Sequence, residues 1–496
     1  MSEGRPVDGR APVLVGVGIT DQREDDPSLA RDAVTLMLDA VRAAAADARC
    51  LPLLGQIDLV AVPRGQWRYG DPGRHLATTV GSPGANSVLA VVGVLQQTLI
   101  GEACRRIADG TIDVALVVGG EARYRRLREK ITGIEAGETQ APGEPDELLE
   151  PEAELVLPSE VQTGLGGMPV GYYAVIESAR RAALGLGVDE HRDRIAARYA
   201  RFSEVAAANP HAWRRQTLPP GLIRGPSAEN PMLAFPYTKL HNSSWNVDQA
   251  AALLLCSAAK ATELGIPPSR WVFPRASTES NHMTAVSERA ELARSPGARL
   301  AGRRALELGG VEAGDLDFAE LYTCFPAAVE LHAAELGIPD DVDWTVTGAM
   351  PFAGGPFNNY VLQSTGRMIE LLRERPGTVG LVSSVSGVMT KHGFGVWSTD
   401  PGPHPFASVD VTGDVAAATE RRPVVGHYEG PATVAGCTVV HTGGRPEGVA
   451  LLDLPGAARA MTSTVDPAVI HELETRECVG RSVDVGAGRF SFGSGG

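Results

Sequence analysis

Two stretches of this chain repeat one order of elements, and that order narrows the fold more than any other feature. Residues 13–17 are all apolar, 31–49 carry Ala33, Val34, Met37, Leu38 and Val41 at helical spacing behind Asp32, and 57–62 are apolar again. Residues 86–109 read as a helix, and 113–118 as a third apolar strand running into Gly119, Gly120 and Glu121. Strands apolar along their whole length are buried on both faces, the mark of a parallel sheet with right-handed crossovers. The order returns as a strand at 271–274, a helix at 296–308, a strand at 316–321, helices from Pro326 and over 360–373, and a strand at 378–385. The spacing predicts an α/β protein made of two βαβαβ units.

Between the two units, 123–237 breaks the pattern. An acidic run rich in proline and glycine, 135–158, reads as solvated and mobile, and helices are expected over 170–187 and 190–208. The expected division is an amino half over 11–122, an inserted loop domain over 123–237, a return to the amino half over 240–256, a second half over 257–400 and a carboxyl-terminal unit over 408–496. The stretch from Asp400 to Pro405 is a linker by composition. Beyond it, β-like runs at 433–440 and 449–454 and a helical stretch at 467–474 predict a small antiparallel barrel of OB type, with the Gly/Ser tail from Gly486 as a frayed end.

Composition removes several function classes. A net charge of −15 argues against a general nucleic-acid surface, so an anionic ligand would need a local basic patch. Six scattered cysteines without a C-x-x-C pair suit reduced, buried thiols in a cytoplasmic protein, and 11 dispersed histidines predict no metal site. The polar first ten residues carry no signal pattern, and the longest apolar run, 88–95, is too short to span a bilayer.

Glu320-Leu321-Tyr322-Thr323-Cys324-Phe325 closes a strand and leads into the Pro326 helix, which puts Tyr322 and Thr323 where open α/β sheets hold ligands. The segment resembles the E-L-H-D-C-F loop of sterol-carrier-type thiolases, with tyrosine and threonine at the reactive positions. His241-Asn242-Ser243-Ser244-Trp245-Asn246 resembles the thiolase N-A-S-G loop that lines the CoA pantetheine arm, which implies ligand contact by Ser243 and Ser244; turn and capping chemistry is the alternative. The stretch from Gly348 to Tyr360 resembles the G-H-P loop, with Gly355 in place of histidine behind Gly354. The stretch from Ser386 to Val396 resembles the loop of the second thiolase cysteine, has none, and brings Lys391, His392 and Gly393 together. Counting back from Gly110 puts Gly93 at the nucleophile position, and no cysteine lies between Cys50 and Cys104. The resemblance runs over 12–399 and, with the extra carboxyl-terminal unit, is most like actinobacterial type-1 thiolase-like proteins.

The resemblance implies a thiolase fold and an acyltransferase-class ligand, CoA or an acyl-CoA of lipid metabolism, with no other cofactor. It implies no covalent route, because that route needs a helix-start thiolate. An alternative is a retro-aldol lyase on 3-hydroxyacyl-CoA, with Tyr322, Tyr360 and His392 as its base and donors. A non-catalytic scaffold is a third reading. Nucleic acid is not an expected partner, and the chain is expected to be a monomer or a homodimer.

Overall fold

The computed structural model describes residues 7–441 and 443–492. Its first sheet has the order β1-β8-β4-β2-β3-β5, from β1 (Pro12–Gln22), β2 (Leu59–Pro63), β3 (Asn86–Ala90), β4 (Val114–Ala122), β5 (Glu147–Leu149) and β8 (Asp248–Ser257). A second sheet has the order β10-β11-β12-β9-β13, from β9 (Phe273–Ser280), β10 (Phe318–Glu320), β11 (Val379–Ser386), β12 (Lys391–Ser398) and β13 (Ala407–Asp410). Two central helices, Gln96–Ala108 and Tyr360–Glu374, lie between the sheets in one apolar cluster holding Leu99, Ile100, Ile107, Val361, Met368 and Leu372. Helix Ala33–Asp47 covers the outer face of the first sheet, and helix Pro296–Gly309 that of the second. Both helices are capped: Asp32 accepts from Thr35 N at 3.0 Å, and Ser295 accepts from Ala298 N at 3.3 Å.

The layering follows the doubled pattern, but the strand directions do not. Each half is a mixed sheet, because β8 runs antiparallel to both β1 and β4, and β12 antiparallel to both β11 and β9. Burial on both faces makes a strand apolar whichever way it runs, so composition could not reveal direction. Residues 86–90 are also strand β3 rather than the first turn of a helix. Their short apolar run fits either assignment until pairing with β2 decides it.

The acidic run is not simply solvated. Its Glu147–Leu149 pairs in parallel with β3 and occupies the edge of the first sheet. Arg106 pairs with Glu147, and Arg74 with Asp146. The inserted helices form at Val170–Ala183 and Val188–Ala208. A third sheet joins β6 (Met232–Ala234) and β7 (Tyr237–Thr238) of the insertion to β14 (Val424–Val425), β15 (Gly430–Val440), β16 (Glu447–Asp453), β17 (Arg459–Thr464), β18 (Ser482–Gly486) and β19 (Arg489–Phe492). Its main path, β14-β17-β16-β15-β18-β19, is largely antiparallel. The tail is therefore a hairpin as far as Phe492, and 493–496 lie outside the described residues. Among the described residues no helix is long and apolar enough to cross a membrane, and no group of three His, Cys, Asp or Glu could hold a metal.

Candidate functional site

The loops singled out in sequence meet where strands of both halves end against the starts of the two central helices. Gly93 lies between β3 and helix Gln96–Ala108 with φ +107°, a backbone conformation that L side chains rarely adopt. A Cβ built there would stand 2.9 Å from Pro151 Cγ and 3.5 Å from Leu155 Cδ2 of the inserted run. Behind Gly93, Gln96 Oε1 accepts from Val361 N at 2.7 Å, tying one central helix to the other.

Gly354 and Gly355 follow the short helix Met350–Ala353 and interlock with the serine loop. Gly355 N donates to Ser244 O at 2.9 Å, and Ser244 N donates to Met350 O at 3.1 Å. A Cβ on Gly355 would collide with Ser243 Oγ, and one on Gly354 with Gln249 Oε1. Around this turn sit Arg123 over the Trp245 ring at 4.5 Å and Arg23 over Trp213 at 5.3 Å, while Arg214 N donates to Phe352 O at 2.8 Å. Burial, then the charge of Arg23, lowers the pKa of Arg214, and the buried Nε of Arg123 has no partner among the described residues.

Glu320, at the end of β10, is fully buried and surrounded by donors. Its Oε2 accepts from Val346 N at 2.7 Å, Thr347 N at 2.9 Å and Thr345 Oγ1 at 3.0 Å; its Oε1 accepts from Tyr360 Oη at 2.6 Å and Thr347 Oγ1 at 3.1 Å. Burial raises its pKa, and these donors oppose the rise. Tyr360 is thus held by its hydroxyl. Tyr322 meets it edge to face with ring centroids 5.8 Å apart, and no hydrogen bond holds the Tyr322 hydroxyl among the described residues. Thr323 Oγ1 accepts from Met350 N at 3.0 Å, binding this loop to the Gly354 turn.

His392 is not on a loop. It lies in β12 opposite Ser280 and Val385, fully buried. A chain of side chains runs through it: Tyr322 N donates to Ser383 Oγ (2.8 Å), Ser383 Oγ meets His332 Nδ1 (3.2 Å), His332 Nε2 meets His392 Nδ1 (3.1 Å), and His392 Nε2 meets Ser295 Oγ (2.9 Å). Met389 O, 3.2 Å from His392 Nε2, can only accept, so the His392 hydrogen is on Nε2; His392 Nδ1 then accepts from His332 Nε2, Ser383 Oγ donates to His332 Nδ1, and both rings are neutral. Burial lowers the His392 pKa to about 3 and holds His332 well below the ordinary histidine value. The pair positions the Tyr322 loop from within the core. The turn beside it is strained, with Val388 at φ +54° and Met389 at +66°. Arg289, itself buried, donates to Val388 O and holds that turn.

Sequence reasoning noted Lys391 as a neighbour and missed its place. It is 3% exposed, and its Nζ donates to Gly93 O at 2.5 Å, joining the second half to the Gly93 loop of the first. Burial lowers its pKa, with Glu279 and Glu152 opposing. Thr98 Oγ1 donates to Glu279 beside it. The only signal in the sequence was a lysine inside an otherwise apolar, glycine-rich stretch. Gly393, next in β12, packs on Gln97, where an added Cβ would stand 2.7 Å from Gln97 Cβ.

No family model matches the chain. Over 105 residues it is 30% identical to the acetyl-CoA acetyltransferase of Methanocaldococcus jannaschii, a match covering 21% of this chain and 26% of that protein. The chain thus spans about a quarter of that relative's length. Over nearly its whole length it is similar to a monomeric SCP2-thiolase-like protein type 1 from Mycobacterium smegmatis, at 27% identity and a TM-score of 0.81, covering 98% of this chain and 100% of that one. The chain belongs to the thiolase superfamily. The Ltp2-ChsH2(DUF35) aldolase shares the fold at a TM-score of 0.59 and 17% identity, over 79% of this chain and 98% of that one. The fold that brings the loops at Gly93, Ser243, Tyr322, Gly355 and 386–391 together is therefore a thiolase-like one.

Proposed function

We propose that this superfamily member binds CoA thioesters at the junction of its two halves and does not form a cysteine-bound acyl intermediate. One observation carries the reading: at the two positions where glycine stands in place of a reactive side chain of the thiolase resemblance, the space is already filled. Pro151 fills it at Gly93 and Ser243 Oγ at Gly355. The cradle of Ser243 and Ser244 around the Gly355 turn is meanwhile intact, with its backbone bonds made in both directions. Arg23, Arg123 and Arg214 around that turn supply the local basic patch that a chain of net charge −15 needs for an anionic ligand, and Trp245 and Trp213 offer stacking faces. Isothermal calorimetry with CoA, acetyl-CoA and longer acyl-CoA esters tests the reading. Binding weakened by Arg123→Ala or Ser243→Ala supports it, and no heat at millimolar ligand overturns it.

A second reading, retro-aldol cleavage of a 3-hydroxyacyl-CoA, is favoured by the contrast between the two tyrosines. Tyr360 is held by Glu320, whereas Tyr322 carries a hydroxyl free to meet a ligand beside the strained 387–389 turn. A mass-spectrometric screen of 3-oxoacyl-CoA and 3-hydroxyacyl-CoA thioesters decides it. A shortened ester formed without added CoA, and lost in Tyr322→Phe, supports the lyase.

We also read the carboxyl-terminal strands as an OB-type module, supported by the β15–β16–β17 meander with helix Pro467–Thr475 against it. The chain is read as a monomer, supported by β5 covering the edge of β3.

A further inference from the structure

The inserted run crosses the centre at Gly93 in an unusual way. It is anchored before the crossing, where β5 pairs with β3 and Val91 N donates to Leu149 O at 2.9 Å. It is anchored again after the crossing, where the buried carboxylate of Glu160 accepts from Ser287 N and Ser287 Oγ, both at 2.8 Å. Between these anchors, 150–156 make no hydrogen bond among the described residues. Their hold is by side chains alone. Pro151 and Leu155 lie on Gly93, and Val156 packs on the cluster that contains Met389 and against which Tyr322 and Cys324 also pack. The Glu152 carboxylate acts on the Lys391 ammonium. Just past the second anchor, Gly164 and Gly166 sit at φ +96° and +69°, where the chain can turn without side-chain strain. A segment fixed at both ends and unbonded between them opens locally far more readily than the sheet beneath it.

Lys391 lies beneath this segment as the one buried member of the chain's four lysines, Lys130, Lys239, Lys260 and Lys391. Its ammonium is aimed at the position of the family nucleophile and is occupied only by a backbone carbonyl, Gly93 O. A carbonyl oxygen from a ligand can replace that acceptor without leaving the cation unpaired.

We propose that residues 150–156 are a strap closed over the Gly93–Lys391 centre, and that a CoA thioester enters by displacing it, its thioester carbonyl then accepting the hydrogen bond that Lys391 gives to Gly93 O. The proposal rests on the CoA-thioester reading above. It makes Lys391 a ligand-binding residue and the strap an internal competitor, so apparent affinity is reduced by the fraction of molecules with the strap open.

The test uses the full chain in three forms: the parent, one with 150–156 replaced by seven glycine and serine residues, and Pro151→Gly. Lysines are acetylated with a soluble active ester and each site is followed by peptide mass spectrometry. Lys391 should label at least about tenfold faster in the strap replacement, with Pro151→Gly between it and the parent and Lys239 unchanged in all three. Calorimetry should show acetyl-CoA binding the strap replacement about tenfold more tightly, a gain removed by adding Lys391→Met. Equal Lys391 labelling in all three forms overturns the strap. Faster labelling with no gain in acetyl-CoA affinity overturns the displacement, and a gain that survives Lys391→Met overturns the role of Lys391. If labelling rises but no form binds any CoA species at millimolar concentration, the strap stands and the CoA reading falls with its ligand.

Discussion

Tyr360→Phe separates a structural tyrosine from a reactive one. The Tyr360 hydroxyl lies 2.6 Å from Glu320 Oε1 and 2.7 Å from Thr347 Oγ1, in a site where both Tyr360 and Glu320 are at most 1% exposed. A hydrogen bond to a charged group is worth about 1.5–3 kcal/mol. Phenylalanine deletes it and leaves a void of one oxygen, too small for water to compensate. Glu320 keeps four donors, Val346 N, Thr347 N, Thr345 Oγ1 and Thr347 Oγ1, so the carboxylate is weakened rather than stranded. The expected cost is therefore about 2 kcal/mol, below the 3–5 kcal/mol of an abandoned buried charge. Urea unfolding followed by tryptophan fluorescence suits the assay, because Trp344 O accepts from Leu321 N at 3.0 Å next to this cage and reports on it. The midpoint should fall with no change in slope. Tyr322→Phe, whose hydroxyl makes no protein bond, should stay within about 0.5 kcal/mol of the parent. A Tyr360→Phe midpoint within that same margin would refute the reasoning, and so would a loss of ligand binding or turnover with stability intact.

Acid should destabilise the protein through its buried histidines. Burial holds His392 and His241 at about 3 and His332 well below its ordinary value, so below about pH 6.5 the unfolded chain takes up protons that the folded chain does not. Stability therefore falls as pH drops from about 6.5 toward 3, by about 1.4 kcal/mol per pH unit for each histidine. Thermal melts of the parent and His392→Gln from pH 7.5 to 5 should differ in slope by one histidine's share, the variant losing less stability in acid; identical slopes would sink the assignment. Gly355→His should destabilise by about 1–3 kcal/mol through the clash with Ser243 Oγ and confer no thiolysis of acetoacetyl-CoA, read as thioester absorbance; recovered thiolysis would refute the filled-site argument. Leu148→Pro should strip β5 from the exposed edge of β3, and light scattering should then show concentration-dependent association that the parent lacks.

The doubled order of apolar strands and amphipathic helices determined the two-halved α/β architecture, because burial on both faces of a sheet dictates residue type along the whole strand. Local chemistry likewise set the caps at Asp32 and Ser295, and the glycine-rich turns at Gly93 and Gly354 marked where the loops lie. The direction of β8 was not legible, since a buried strand reads the same forwards and backwards, and the glycine-rich stretch 386–396 read as a loop, which put His392 there instead of in strand β12 in the core. Nor could composition show that an acidic run supplies an edge strand, because Glu147 and Asp146 are tolerated there only through Arg106 and Arg74, distant in sequence. The bond from Lys391 to Gly93 spans 298 residues. Contacts of that separation leave no periodicity behind, so only the packed tertiary structure decides that a buried lysine reaches the Gly93 loop.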